Sequence, residues 1–177
     1  SIVGENGAGK STLLMVLSGD YQQTSGEYLV NGEPCHFNSP REAVAAGIGV
    51  IYQERQIMLE LTVGENIFLG RLPTGFMGRI KMREVHSRAQ AIIDEFGLDM
   101  KSTDKVKDLS VAYQQMVEIM KAYSRENLKM IAFDEPTASL SDSEIDSLFR
   151  IIRKLKAEGK VIIYVSHRMA EIRQIAD

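Results

Sequence analysis

Gly4-Glu5-Asn6-Gly7-Ala8-Gly9-Lys10-Ser11-Thr12 is the stretch on which the fold turns. Its glycine, lysine and serine have the full spacing of a phosphate-binding loop, set between the strand remnant Ser1-Ile2-Val3 and an apolar helical pattern. The glycines let backbone N–H groups converge on one point, at a helix N-terminus that already favours anions. Lys10 is then expected to reach β- and γ-phosphates, and the Ser11 hydroxyl to coordinate Mg²⁺. A glycine-rich turn that binds nothing is the bland alternative. Pattern and context together weigh against it.

Outward from the loop, Lys10–Leu17 reads as a helix closed by Gly19, with Leu13, Leu14 and Leu17 on one face. Tyr28-Leu29-Val30, the turn Asn31-Gly32 and residues 34–37 read as a hairpin, because Asn-Gly tolerates the positive φ of a tight turn. Ser39-Pro40 starts a helix that Gly47 ends. Residues 48–52 are apolar and partly β-branched, hence a strand, with Gln53 immediately after it.

The middle of the chain is helical. Thr62 and Glu65 have capping-box spacing, and Val85, Ala89, Ile92, Ile93 and Phe96 form a stripe ended by Gly97. Ser110 can cap a further helix that runs to about residue 122. Residues 130–133 are a continuous apolar run, as in a parallel strand covered on both faces. Ser141 and Glu144 repeat the capping-box spacing, Ile145, Leu148, Ile152 and Leu155 line one face before Gly159, and residues 161–165 form another buried strand. The expected class is α/β: a P-loop core whose parallel sheet is flanked by helices, over residues 1–61 and 125–177, with an inserted helical subdomain at 62–124.

Composition bounds the function. Of 177 residues, 44% are hydrophobic and 25% charged, the profile of one soluble globular domain with a sizeable core. A net charge of -3 argues against a dedicated nucleic-acid binder. The single cysteine, Cys35, cannot make an internal disulfide and fits a reducing compartment. The apolar runs are too short to span a bilayer, so any membrane role falls to a partner. With no initiator Met and no stop signal at Ile175-Ala176-Asp177, the chain reads as truncated at both ends, and alone it is expected to bind its phosphate ligand poorly and to be inactive. His86 reads as solvated, and the nine methionines as packing at mostly apolar positions.

Asp134-Glu135 follows the run at 130–133, where an open α/β sheet binds its ligands. Asp134 can hold Mg²⁺, and Glu135 can polarise an attacking water as general base. An isolated acidic pair after a strand is usually a solvated loop. A phosphate loop upstream tips the reading towards chemistry.

Gln53 after a strand, Leu109-Ser110-Val111-Ala112-Tyr113-Gln114-Gln115 before a helix, Asp134-Glu135-Pro136-Thr137, and His167 after a strand occur in the order of the ATP-binding-cassette family. The chain resembles that family along nearly its whole length. It is most similar to the first ATPase half of bacterial sugar importers of the ribose/galactose type, through Gly64-Glu65-Asn66-Ile67-Phe68-Leu69-Gly70-Arg71 and Gln114-Gln115-Met116-Val117-Glu118-Ile119.

The resemblance implies the rest. ATP would lie on Gly4 to Thr12. Gln53 would sense Mg²⁺ and the γ-phosphate and act with Glu135 and His167 in catalysis, with Ser11, Gln53 and Asp134 as the Mg²⁺ ligands. Ser110 and Ala112 would close in trans on ATP held by a second ATPase domain, encoded in the same polypeptide. A buried core glutamine or histidine is the bland alternative at Gln53 and His167. Val111, Ala112 and Tyr113 depart from the two glycines and glutamine usual in that signature, and Ala112 adds a Cβ where a backbone approaches phosphate closely. The implied partners are a transmembrane permease and, indirectly, a periplasmic or extracellular sugar-binding protein, with no nucleic acid. The implied location is the cytoplasmic face of the cell membrane. A soluble cassette ATPase acting on ribosomes or DNA, or a regulatory pseudo-ATPase, are the competing readings.

Overall fold

In the computed structural model, which describes residues 1–4, 7–30 and 32–176, strands and helices alternate at both ends of the chain and helices fill the middle. The elements are α1 (Lys10–Leu17), β1 (Leu29–Val30), β2 (Glu33–Pro34), α2 (Pro40–Ala45), β3 (Ile48–Ile51), α3 (Val63–Ile67), α4 (Met82–Glu95), α5 (Val111–Tyr123), β4 (Met130–Asp134), α6 (Asp142–Ala157), β5 (Val161–Val165) and α7 (Met169–Ile175). The three apolar runs β3, β4 and β5 form a parallel sheet in that order. Ile2 continues it beyond β5, through a parallel bridge to Val165 and an N–H bond to the Tyr164 carbonyl at 2.9 Å. The α/β class with a helix-flanked parallel sheet is therefore observed.

The chain folds as two compact units. The first comprises Ser1–Gln53, Asn127–Pro136 and Ile152–Asp177. Leu14 and Leu17 of α1 pack there on Ala132 and Val165, with Ile2, Tyr28, Val50, Met130 and Ile163 around them. Leu13, expected on the same face, is instead exposed, because a helix turns about 100° per residue and the stripe that meets the sheet is narrow. The return strand of the hairpin begins at Glu33 rather than Pro34. With a two-residue loop, Val30 must pair with Glu33. Gly32 takes the expected positive φ of 84°, and Asn31 lies outside the described residues.

Gly47 does more than end α2. At φ 96° its carbonyl accepts the amides of Lys129 and Met130 (2.8 and 3.1 Å), which starts β4 beside β3. The Asn127 carbonyl lies 2.2 Å from where a Cβ would stand.

The second unit comprises Glu54–Glu126 and Thr137–Ile151. Thr62 and Glu65 make the full capping box of α3, which packs against α4 and α5. On α4, Val85, Ala89 and Ile93 are fully buried, while Ile92 and Phe96 sit at the edge of that stripe. Fully buried Asn66 holds the segment before α3, donating to the carbonyls of Met58 (2.9 Å) and Thr62 (3.0 Å) and accepting the Met58 amide (2.8 Å).

One expectation fails in this unit, and another holds only in part. His86 is half-buried rather than solvated: its Nδ1 lies 3.1 Å from the Ser102 carbonyl, over the face of Gly64, where a Cβ would meet the ring. Met58, Met77 and Met82, together with Met169 in the first unit, are exposed, so methionine here does not uniformly mark packing. Among the described residues no helix is long and apolar enough to cross a membrane.

Candidate nucleotide site

Parallel strands bring their C-terminal ends to one edge of the sheet, and the register fixes what gathers there. Asp134 pairs with Val165, Val165 bridges Ile2, and Ile51 pairs with Phe133. The loop from Gly4, the exposed Gln53, Glu135 and His167 therefore all leave the sheet of the first unit at the same edge.

Gly7 and Gly9 adopt φ of 83° and 85°, in the left-handed region that only glycine enters without strain. Gly9 is the N-cap of α1, and no side chain caps this helix end, whose first-turn N–H groups have no intrahelical acceptor. Lys10 is 8% exposed, and its ammonium folds back to donate to the Gly4 carbonyl at 2.7 Å. Ala8, Ser11 and Thr12 are exposed, and Glu5 and Asn6 lie outside the described residues. The arrangement presents one cation and a row of amide donors. That is the equipment of an anion site.

Asp134 is the last residue of β4 and is buried. Glu135 then turns left-handed, at φ 45°, while its N–H donates to the Val165 carbonyl at 3.0 Å. A non-glycine residue held this way is strained by about 1–2 kcal/mol. The turn sends the Glu135 carboxylate towards His167, whose Nδ1 lies 3.2 Å from Oε2. The His167 side chain is 51% exposed and that of Glu135 is 18% exposed. Neither this histidine nor Gln53 is a core residue.

Two supporting clusters have no counterpart in the sequence motifs. The Tyr52 hydroxyl donates to the Asp20 carboxylate at 2.5 Å and lies 2.8 Å from Ser18 Oγ, which itself donates to Asp20 at 2.7 Å. Burial first, and then the bond to Asp20, push the phenol up from 10.0 to about 12. The residue before Gln53 is thereby tied to the end of α1. The second cluster gathers on Glu171 of α7, to which Tyr164, Ser166 and Arg168 all donate. Nothing in the spacing of Glu171 sets it apart from an ordinary helical glutamate.

Ser110 and Ala112 belong to the second unit. Exposed Ser110 caps α5, its hydroxyl accepting the Tyr113 amide at 3.4 Å, and it also stabilises the Glu144 carboxylate. Ala112 is buried, at 2% exposed. Among the described residues no three His, Cys, Asp or Glu side chains cluster as a metal cage. Ser11, Gln53 and Asp134 offer only oxygen donors, which suits a hard cation that keeps waters and phosphate oxygens as its other ligands.

The family model described as ABC transporter matches residues 1–138. The arabinose import ATP-binding protein AraG of Yersinia pestis is 50% identical over all 177 residues, and the ribose import ATP-binding protein RbsA 2 of Escherichia coli O157:H7 is 48% identical over the whole chain. The chain spans about a third of the length of these relatives, 34% and 35%. Among solved structures, an ATP-binding cassette of an ABC transporter superposes with a TM-score of 0.84 at 28% identity, covering 99% of this chain and 72% of the other. A dimeric cassette in a post-hydrolysis state, bound to ADP and Pi, gives 0.76 at 25% identity, covering 97% and 75%.

Proposed function

The chain belongs to the ABC transporter family, and we propose that it binds ATP and, within the whole protein, hydrolyses it to drive import of a monosaccharide through a membrane permease. The observation that carries this reading is the Glu135–His167 pair, 3.2 Å apart on the sheet edge that also bears the phosphate loop. A nucleotide-binding pseudo-ATPase has no use for an oriented carboxylate beside an imidazole at that place. The import function rests on relatives named for arabinose and ribose import.

In this reading the amides from Gly4 to Thr12 and the Lys10 ammonium receive the phosphates, Lys10 exchanging its bond to Gly4 for phosphate oxygens. Glu135 takes the proton of the attacking water, and His167 holds that carboxylate and contacts the γ-phosphate. Mg²⁺, when bound, neutralises charge on the phosphate oxygens, with Ser11, Gln53 and Asp134 as its protein ligands. Residues 62–124 form the helical subdomain, where Ser110 and Ala112 reach the ATP of a second ATPase domain. Relatives about three times as long have room for that domain in one polypeptide. The permease holds the assembly at the cytoplasmic face of the membrane.

The test is nucleotide titration of full-length Lys10→Ala in Mg²⁺. Loss of ATP binding is expected, since the loop loses its cation. Unchanged affinity overturns the assignment of the loop.

A further inference from the structure

Glu171 is 6% exposed, yet it makes no part of the chemistry proposed for the site. Its Oε2 accepts the hydroxyls of Tyr164 and Ser166, both at 3.0 Å, and its Oε1 accepts Nη1 of Arg168 at 3.3 Å. Ser166 Oγ in turn accepts the Arg168 amide at 3.0 Å. The residues on both sides of His167 are thus tied to one carboxylate, and Tyr164 ties that carboxylate to the fully covered end of β5. His167 itself is half exposed and reaches forward to Glu135. The backbone beneath it has a buried anchor.

We propose that Glu171 is a positioning residue for His167: by clamping Ser166 and Arg168 it fixes the short segment from which the imidazole meets Glu135. The proposal rests on the reading of His167 as part of the ATPase site. A buried carboxylate collecting two hydroxyls and a guanidinium is stronger than an exposed pair, because charge-assisted bonds gain where water is excluded. It also spans the step from a rigid strand to a short helix, where the chain would otherwise be free to shift. Displacement of a reacting group by about 1 Å can lower a rate by about 10²-fold, so a loose segment here would show in turnover.

The experiment uses the full-length protein with Glu171→Gln and Ser166→Ala. Glutamine can keep its carbonyl oxygen under Tyr164 and Ser166 while turning an amide NH₂ towards Arg168, so the core contact survives and the clamp opens. Ser166→Ala removes the bridge between Glu171 and the Arg168 amide. For each variant, ATP affinity, turnover and the His167 imidazole resonance (identified by its absence in His167→Ala) are measured. Affinity at the parent level, turnover lower by about tenfold or more, and a displaced His167 resonance are expected. Parent turnover, an unmoved His167 resonance, or a loss of turnover matched by lost affinity overturns the proposal. Failure of the underlying reading is recognisable separately. In that case His167→Ala itself turns over at the parent rate, and the ring moves in Glu171→Gln without consequence.

Discussion

Lys121 donates its ammonium to the Gln56 carbonyl at 3.0 Å, and Glu118, three residues earlier on α5, accepts the Gln56 amide, so one helix grips both backbone groups of a single residue. The chain passes from the first unit to the second between Gln53 and Glu54, three residues before this grip. Burial, partly offset by the Gln56 amide, Lys121 and Arg55, pushes the Glu118 carboxyl above its ordinary range, and its Oε2 has no partner among the described residues. A carboxyl raised on folding binds its proton more tightly in the folded state. Its contribution is therefore present at acid pH and lost as pH rises from the ordinary glutamate range through the raised value. Glu118→Gln keeps an acceptor for Gln56 and is expected to flatten that loss, whereas Glu118→Ala should cost about 1–3 kcal/mol by leaving the amide unpaired. Denaturant unfolding of both variants across pH 4–8 checks this; an unchanged pH slope in Glu118→Gln contradicts it.

Glu135→Gln should separate binding from chemistry. The amide can still lie beside His167 but cannot accept a proton from water. ATP binding is expected to persist while turnover falls by at least ~10²-fold, the contribution of a positioned base. Phosphate release measured at saturating ATP decides it, and a parent rate would assign the base elsewhere.

Gly47→Ala should be far more damaging than Gly159→Ala. At Gly47 the new methyl meets backbone, the Asn127 carbonyl at 2.2 Å, and φ is 96° besides. Gly159 has φ 79° but open space around it, so its replacement isolates the conformational cost. The expected losses are about 3–5 kcal/mol at Gly47 and about 1 kcal/mol at Gly159. Equal unfolding midpoints for the two variants would refute the steric argument.

The capping box at α3 predicts an acid limb of the opposite sign to that of Glu118. The Thr62 amide and hydroxyl hold the Glu65 carboxyl below its ordinary range. A depressed carboxyl adds stability above the ordinary glutamate range and loses it as pH falls through the lowered value. Glu65→Gln should weaken the acid dependence of unfolding, and Thr62→Ala should cost about 1 kcal/mol near neutrality by removing the cap. Thermal melts between pH 3 and pH 7 would show both.

The parts of this fold that are legible in the sequence are those it marks locally. Ser39-Pro40, the Thr62–Glu65 spacing and the glycines at 47 and 97 punctuate helices through φ and capping, which need no distant partner. The phosphate loop and the acidic pair after β4 share that quality. What stays hidden depends on neighbours far along the chain. The exposure of Leu13 is set by the sheet, the burial of His86 by Ser102 and Gly64, and the role of Glu171 by three donors that come together only once β5 and α7 have formed. His167 is approachable through family resemblance alone, because only the register brings it to Glu135, 3.2 Å away.

The left-handed turn at Glu135 also bears on how this position can change over generations. The backbone there is most at ease with glycine, and next with asparagine or aspartate, whose short polar side chains tolerate the same φ. None of these extends as far towards His167 as glutamate does. Single replacements that relax the backbone therefore withdraw the carboxylate, and the replacement that keeps its reach keeps the strain. If Glu135 is the base, as proposed, drift towards a sturdier protein would withdraw it, and selection for turnover would be what keeps a glutamate at this turn.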